Sequence, residues 1–586
     1  MTLRLRRRSQ KMKKKVLATV IAISLAASCV GCGKAAVQPE SSTSEQVEEG
    51  AEEGVEEGIE EVTLNVFMDL GANLSSGIQS DPVAEYIREK TGVILNVEGS
   101  DPDKAAAMVA SGDLYDISIL DNPAYIPPLI SSKAVADLTD WMQYAPNVTE
   151  NFHGLIKYSQ DYLGNKAEGL FSLPMRAKPI SSPLAKDMGG NFVRWNHYVE
   201  AGSPEIKSID DLLDLFETIQ KNNPETESGQ KAYALSQWMD WGKGSFASAI
   251  SKYTSRSEDT LFSSYDIDAV EYQDLMNDDN AYLIYADFMF KANQRGILDP
   301  EAFVQRHEDY NAKLQDGRVL TTMYQWEINN KNNEFKSVNE AGFVDIPFAD
   351  TEEFKAKINR EAAFGYPQRL LVVSSKCDDT KMRAIMRLID FLYSEEGTRV
   401  MANGPKGVTW NDDGNGGAAF TDETLAAIKE DPSYLVSQGA TYYQGIMGVD
   451  YDTFDATGET YIDLTLNNDY IVSSLSDYEK EYCEFYGVDV PLDVMTKREN
   501  QSTENLAISM LMPTEIPTEI ARGTTKIEDY MSQQLPSLIL SANQEEYDAK
   551  LAAMREELKS MDYETISTFY KEAFENAVAS YNELTK

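Results

Sequence analysis

VTLNVFMDLGANLSSGIQSDPVAEYIREKTGVILNVEG, residues 62–99, is the stretch that decides the fold of this chain. VTLNVFM alternates apolar and polar side chains, the period of a half-buried strand. A turn-rich loop follows from Asp69. Asp81 and Pro82 then open a helix, where proline is tolerated because the first N–H has no helical partner. Val83, Tyr86 and Ile87 share one face of it, Gly92 closes it, and VILNVEG reads as a second strand. Further on, residues 104–111 form a second predicted helix ended by Gly112, and YDISIL (115–120) a third strand. Strand, helix, strand, helix, strand requires right-handed crossovers and a parallel sheet. Ligands of such sheets sit beyond the carboxyl ends of the strands. Asp69 and Asp121 are therefore the first candidate ligand contacts, with turn or helix capping as the competing role for each.

Upstream of this run the chain carries an export signal. Eight Lys/Arg precede an apolar run at 16–27, and small residues lead into Cys29 and Cys32. The run is shorter than the roughly 20 residues that a membrane-spanning helix needs. A cysteine at such a site resembles the lipobox of bacterial lipoproteins, whose thiol is acylated. AASC (26–29) fits that pattern better than VGCG (30–33), so Cys29, or failing that Cys32, is the expected lipidated residue. The competing reading is plain secretion with a free cysteine near the cut. SSTSEQVEEGAEEGVEEGIEE (41–61) has almost nothing to bury and repels itself, so residues 29–61 are expected to form an extended, disordered stalk.

Composition excludes several classes of function. The chain has 53 Lys+Arg against 96 Asp+Glu, a net charge of −43. Removal of residues 1–28, which hold eight bases and no acid, leaves 45 against 96, or −51. Nucleic-acid binding needs clustered bases and is excluded. With 42% hydrophobic residues, the part after the stalk has enough core for more than one domain. Beyond the lipobox only Cys377 and Cys483 remain, too few and too far apart for a disulfide framework, and both are expected as free buried thiols.

Three segments together resemble the N-terminal lobe of family 1 extracellular solute-binding proteins, the maltose-binding-protein-like lipoprotein receptors of ABC importers. These are DPVAEYIREKTGVILNVEG (81–99), MVASGDLYDISILDN (108–122) and LISSKAVADLTDWM (129–142). FVRWNHYVEAGSPEIKSIDDLLDLFETIQKNNPET (192–226) is similar to the second-lobe segment of that family. AIMRLIDFLYSEEGTRVMANGPKGVTWNDDG (384–414) is similar to its late helix and following loop. The resemblance implies an α/β fold of the two-lobed periplasmic-binding-protein type II class, with the ligand in the cleft and several chain crossings at the hinge. It divides the chain into lobe 1 (62–175 with 365–405) and lobe 2 (176–364 with 406–586), with an extra helical C-terminal region. Residues 421–540 match nothing in the family pattern. The residues themselves agree at one crossing. RLLVVSSK (369–376) is too continuously apolar to face water, and Met382, Ile385, Met386, Ile389 and Leu392 then form a helical core stripe that returns the chain to the first lobe.

The sequence carries no recognisable catalytic motif, while its 96 acids leave paired carboxylates for glycoside cleavage open. His153, His197 and His307 are scattered, and HExxH, the G-x-S-x-G elbow and the Walker A loop are missing. DDGN (412–415) offers oxygens to Ca²⁺ but lacks the EF-hand spacing, so no metal or other cofactor is expected. Aromatic residues at strand ends and in loops remain. WMDWGKGS (238–245) follows the strand-like AYALSQ, Trp326 ends GRVLTTMYQW, Trp410 lies in GVTWNDDG, and Tyr366 in FGYP. A sugar lays its C–H face on an indole while its hydroxyls bond to amides and carboxylates. Trp326, Trp238, Trp241, Tyr366 and Trp410 are accordingly candidate ligand contacts, with core or inter-lobe packing as the alternative for each. The resemblance adds that the strand matching GRVLTTMYQW ends in a stacking Trp in the maltose-binding relatives, and it places Arg176 at the first crossing.

The expectation is a lipid-anchored, monomeric substrate-binding protein on the outer face of the cell membrane that delivers an oligosaccharide to ABC permease subunits. The alternatives are a surface glycoside hydrolase or lyase, and a binding protein for peptides or lipid-linked ligands.

Overall fold

The computed structural model describes residues 59–68, 76–99, 102–164, 167–178, 185–186, 189–246, 253–258, 260–360, 364–365, 369–414, 416–458, 460–505, 507–513 and 516–584. Cys29, Cys32, Asp69, Tyr366 and Asn415 lie outside them.

The first run forms as its pattern dictates: β1 (Val62–Met68), α1 (Pro82–Thr91), β2 (Val93–Glu98), α2 (Pro102–Ser111) and β3 (Ile117–Leu120). Asp81 caps α1, its carboxylate accepting the Ala84 N–H at 3.0 Å. Gly92 ends the helix at φ 70°, and a Cβ there would lie 2.5 Å from the Glu60 carbonyl oxygen, so only glycine fits. β1 pairs in parallel with both β2 and β3, Val66 standing opposite Val97 on one side and Ile117 on the other. Leu64, Val66 and Met68 enter one core and Phe67 another, so both faces of the sheet are covered. Glu60 and Glu61, the last residues of the expected stalk, are tied to the fold. Arg88 pairs with Glu61 at 2.9 Å and Arg387 donates to the Glu60 carbonyl.

The second lobe is built on β4 (Gly189–Arg194), α3 (Ala281–Gln294), α4 (His307–Gln315), β5 (Thr321–Tyr324), α5 (Gln325–Ser337) and β6 (Phe343–Asp345). β4 lies between β5 and β6, antiparallel to both. Residues 233–235 run parallel to the start of β5, with the Leu320 N–H donating to the Tyr233 carbonyl at 3.0 Å. On their other side the Leu235 N–H donates to the Ile297 carbonyl, also at 3.0 Å.

The chain then returns to the first sheet through β7 (Leu370–Val373) and α6 (Asp379–Leu392). β7 is antiparallel to β3. Leu371 and Val373 face the α6 side while Leu370 and Val372 enter the core on the opposite face, which explains its unbroken apolar run. Met382, Ile385, Met386, Ile389 and Leu392 are all buried on α6. Three crossings gather into one small sheet, where residues 356–360 pair with 185–186 and with 501–505. Beyond the third crossing Ile508 and Leu511 join Phe67, Leu120 and Leu370 in a core between the lobes.

Several residues of 406–464, which the sequence reading assigns to the second lobe, pack against the first sheet. Trp410, Tyr443, Ile446, Met447, Val449 and Leu464 are buried in the core of the first sheet, not the second. The Tyr443 hydroxyl donates to Asp81 and the Arg176 N–H to the Met447 carbonyl. These apolar residues come singly from loops and short turns, so no periodicity assigns them to a core.

Three helices close the chain: α7 (Thr518–Ile539), α8 (Gln544–Ser560) and α9 (Tyr563–Leu584). α7 packs along α3. Met554 and Leu558 of α8 are buried. α9 places Tyr563, Ile566 and Tyr570 in the second-lobe core, and Phe574 and Ala577 in the core between the lobes. Among the described residues no helix is long and apolar enough to cross a membrane. Cys377 and Cys483 are free thiols, and burial pushes both up from the usual range.

Candidate functional site

Residues 233–235 and β5 are parallel neighbours, so their carboxyl ends finish at one edge of the second lobe. Tyr324, the last residue of β5, stands opposite Gly189, the first of β4. That edge is where the chain arrives from the first crossing. The segments leaving it supply an aromatic platform. Trp238 is buried, whereas Trp241 and Trp326 are 44% and 36% exposed. Trp241 and Trp326 stack with ring centroids 5.7 Å apart at 22°, and Trp238 meets Trp241 edge-on at 5.0 Å. Trp326 occupies the second position of α5 rather than the end of a strand, because the chain turns helical at Gln325 and buries Ile328 and Phe335 seven residues apart.

Polar groups surround the plates. The Trp238 indole N–H is buried and has no hydrogen-bond partner among the described residues, at a recess that Ser245, Tyr310, Thr322 and Tyr324 also line. A buried donor of this kind is matched to a hydroxyl or carbonyl that a ligand would bring. Beneath it the strand end is locked. Gln305 Nε2 donates to Ser236 Oγ at 2.7 Å and to the Gln237 carbonyl at 2.6 Å, and the Tyr285 hydroxyl donates to Gln237 Oε1. Lys313 pairs with Asp299 at 2.6 Å in the same network.

Four residues of this site carry no sequence expectation: His307, Tyr310, Tyr324 and Glu327. The His307 ring lies 4.5 Å from Trp241 and 4.7 Å from Trp238, and its backbone N–H donates to Asp240 at 2.8 Å. Tyr310 packs on Trp238 at 4.6 Å. Glu327 accepts from the Tyr310 hydroxyl at 3.0 Å and from Thr322 Oγ1. Burial pushes its carboxyl up to about 7 against the pull of those two donors. Burial likewise lowers the His307 imidazole. Tyr324 and Glu327 flank Trp326 in sequence and could have been read with it. His307 and Tyr310 reach the site from a separate segment with no local signal.

The other candidates stand elsewhere. Trp410 is 2% exposed in the first core, where its N–H donates to the Gly404 carbonyl at 2.8 Å. Its loop-like sequence is the arm of a hairpin with residues 418–420 that wraps the indole, so it is a packing residue and not a plate of the cleft. Arg176 lies at the first crossing, as the resemblance implies. Its guanidinium bonds Asp450 at 2.8 Å and lies over the Tyr451 ring, an interior pair at the hinge. Asp121 stands half-exposed at the carboxyl end of β3 on the first lobe, and Asn122 rather than Asp121 caps the following turn. In the loop weighed for Ca²⁺, Asp412 pairs with Lys406 and Asp413 accepts the Gly417 N–H. Among the described residues no group of three His, Cys, Asp or Glu side chains is placed to hold a metal ion.

Two roomier recesses, of about 420 and 500 Å³, lie along the helices 195–200 and 477–486. They open beside Trp195 and Tyr198, beyond the end of β4 that is remote from Tyr324. The platform, smaller in volume, is the one at the strand carboxyl ends, where ligands of α/β sheets bind.

No protein-family model matches this sequence, and no curated protein matches it. Solved structures do resemble it. One is an HMO-binding, ABC-transporter-associated solute-binding protein from Bifidobacterium longum infantis, with a TM-score of 0.53 and 13% identity, covering 88% of this chain and 98% of that one. A second is an extracellular solute-binding protein from Bifidobacterium longum subsp. infantis, with a TM-score of 0.56 and 12% identity over 88% and 98%. A third is the substrate-binding protein FusA of a Streptococcus pneumoniae ABC transporter in complex with kestose, at 0.55 and 15% over 89% and 100%. The chain has the fold of the extracellular solute-binding proteins of ABC transporters.

Proposed function

We propose that this chain is the lipid-anchored extracellular substrate-binding protein of an ABC transporter, and that it binds an oligosaccharide on the plates of Trp241 and Trp326. The observation that carries this reading is the convergence of three indoles, from two parallel strand ends, around the N–H of Trp238, which has no partner among the described residues. Stacked and partly exposed rings accept the C–H face of a sugar, and the buried indole N–H donates to one of its hydroxyl oxygens. The neighbouring carboxyls are already engaged, Glu327 by Tyr310 and Thr322 and Asp240 by the His307 N–H. That favours a receptor over a glycan-cleaving enzyme.

As a receptor the chain works as a monomer. The ligand favours the closed arrangement of the lobes to the extent that it binds that arrangement better, and the permease takes the closed form. A panel of kestose, maltotriose, a milk tetrasaccharide, a mannan trisaccharide and an alginate trimer tests this. At least one member should bind with one-site heats, raise the melting midpoint by mass action and change the indole emission. A panel in which none binds refutes the sugar assignment.

The anchor is tested separately. Replacing Cys29 and Cys32 together by alanine should release the protein to the medium or leave an uncleaved precursor, read by detergent phase partition. A doubly substituted protein that still partitions with lipid would show that neither cysteine carries the anchor.

A further inference from the structure

Under the exposed faces of Trp241 and Trp326 lies a pair of titratable groups that stacking alone does not require. Glu327 follows Trp326 on the first turn of α5, and its side chain is wholly enclosed. Thr322 Oγ1 and the Tyr310 hydroxyl both donate to Oε2, while Oε1 faces His307 Nε2 at 3.3 Å. His307 opens α4, and its ring is hemmed by Trp238, Trp241 and Trp326 at 4.7, 4.5 and 5.5 Å. Among the described residues, Asp240 from the 238–245 segment bonds the His307 backbone, Tyr310 from α4 bonds Glu327, and Tyr324 from β5 packs on Trp238 and Trp326. Burial holds the Tyr310 phenol well above its usual range, so it stays neutral.

Charge in an enclosed site sets the behaviour of this pair. Holding one proton between them, Glu327 and His307 are neutral overall, whichever of the two carries it. Without that proton they leave a carboxylate charge in the interior. Withdrawal of water penalises the charged form alone. The His307 side chain keeps 19% of its surface in water, and that surface adjoins Trp241 and Trp326. A ring laid over those two indoles removes it.

We propose that His307 is a further plate of the ligand surface, that Glu327 is its positioning residue, and that covering the plates with a carbohydrate draws one proton from solvent onto this pair. The inference rests on the reading of the platform as the ligand site and adds a proton to the binding reaction. The sign follows from linkage. A complex that holds more protons than the free protein binds more tightly as pH falls. Burial places the Glu327 carboxyl at about 7 in the free protein, so affinity should fall as pH rises through and above that value and level off on the acid side. One proton limits the slope to about tenfold per pH unit.

Calorimetric titration of the full chain with whichever panel oligosaccharide binds, in phosphate and again in Tris, counts the protons directly, because the two buffers differ in ionisation heat. The expected result slightly above neutral is an uptake approaching one proton, with affinity falling several-fold over the next pH unit. Glu327→Gln keeps the shape, accepts from Thr322 and Tyr310 and donates to His307, but cannot titrate. It should abolish the uptake and flatten the pH profile, whereas a merely structural role for Glu327 would leave both as they are. Should that variant melt early, Glu327→Met, which keeps the length of the side chain and likewise cannot titrate, gives the same readout. Wild-type binding with no buffer dependence, or undiminished uptake in a folded variant, overturns the inference and leaves the sugar reading standing. A panel with no binder overturns both.

Discussion

Replacing Trp326 by alanine is expected to weaken oligosaccharide binding by on the order of 30- to 150-fold, which corresponds to a loss of ~2–3 kcal/mol. The melting midpoint should stay close to that of the wild type. The reason is the position of the indole. It is 36% exposed, one of its faces lies on Trp241, and it contributes to no core. Micromolar binding is worth about −8.2 kcal/mol, so a change of this size is plain in a titration. Calorimetry and thermal melting of the same sample separate the possibilities. A variant that melts early yet binds normally where folded would make Trp326 a packing residue.

Trp410→Ala should do the reverse. This indole is enclosed in the first core, its N–H bonded to Gly404 and its ring flanked by the Arg399 and Lys406 cations at 5.6 and 5.5 Å. Removing a buried Trp side chain costs ~3–5 kcal/mol through lost burial and the cavity left behind. Urea unfolding should shift to a lower midpoint with an unchanged slope, while the folded fraction binds sugar with wild-type affinity. Lost affinity without lost stability would put Trp410 back among the ligand contacts.

The contrast between these two indoles marks how far the sequence could be read. The first lobe was legible because its signals are local and periodic. Examples are the alternation of VTLNVFM, the Asp81, Pro82 and Gly92 punctuation of α1, and the α6 stripe. Trp238, Trp241 and Trp326 were each legible as candidates, since each follows a strand-like run, but their meeting in one cluster was not. Trp410 was misplaced because a polar, glycine-flanked segment has the composition of a loop whether it wraps an indole or displays one. His307 and Glu327 could not be paired from sequence. They come from different helices and meet only after β5 and the 238–245 segment have assembled around them. For the same reason residues 443–464 gave no sign of which core they complete.

The account turns on where the sugar sits, and a crystal structure of the chain with its bound oligosaccharide tests that most directly. The predicted result is a sugar ring with its C–H face ~4 Å from the exposed face of Trp326 or of Trp241, at van der Waals contact. One of its hydroxyls should accept from the Trp238 indole N–H. An oligosaccharide seated instead in the recess beside Trp195 and Tyr478, with the three indoles untouched, would contradict the account.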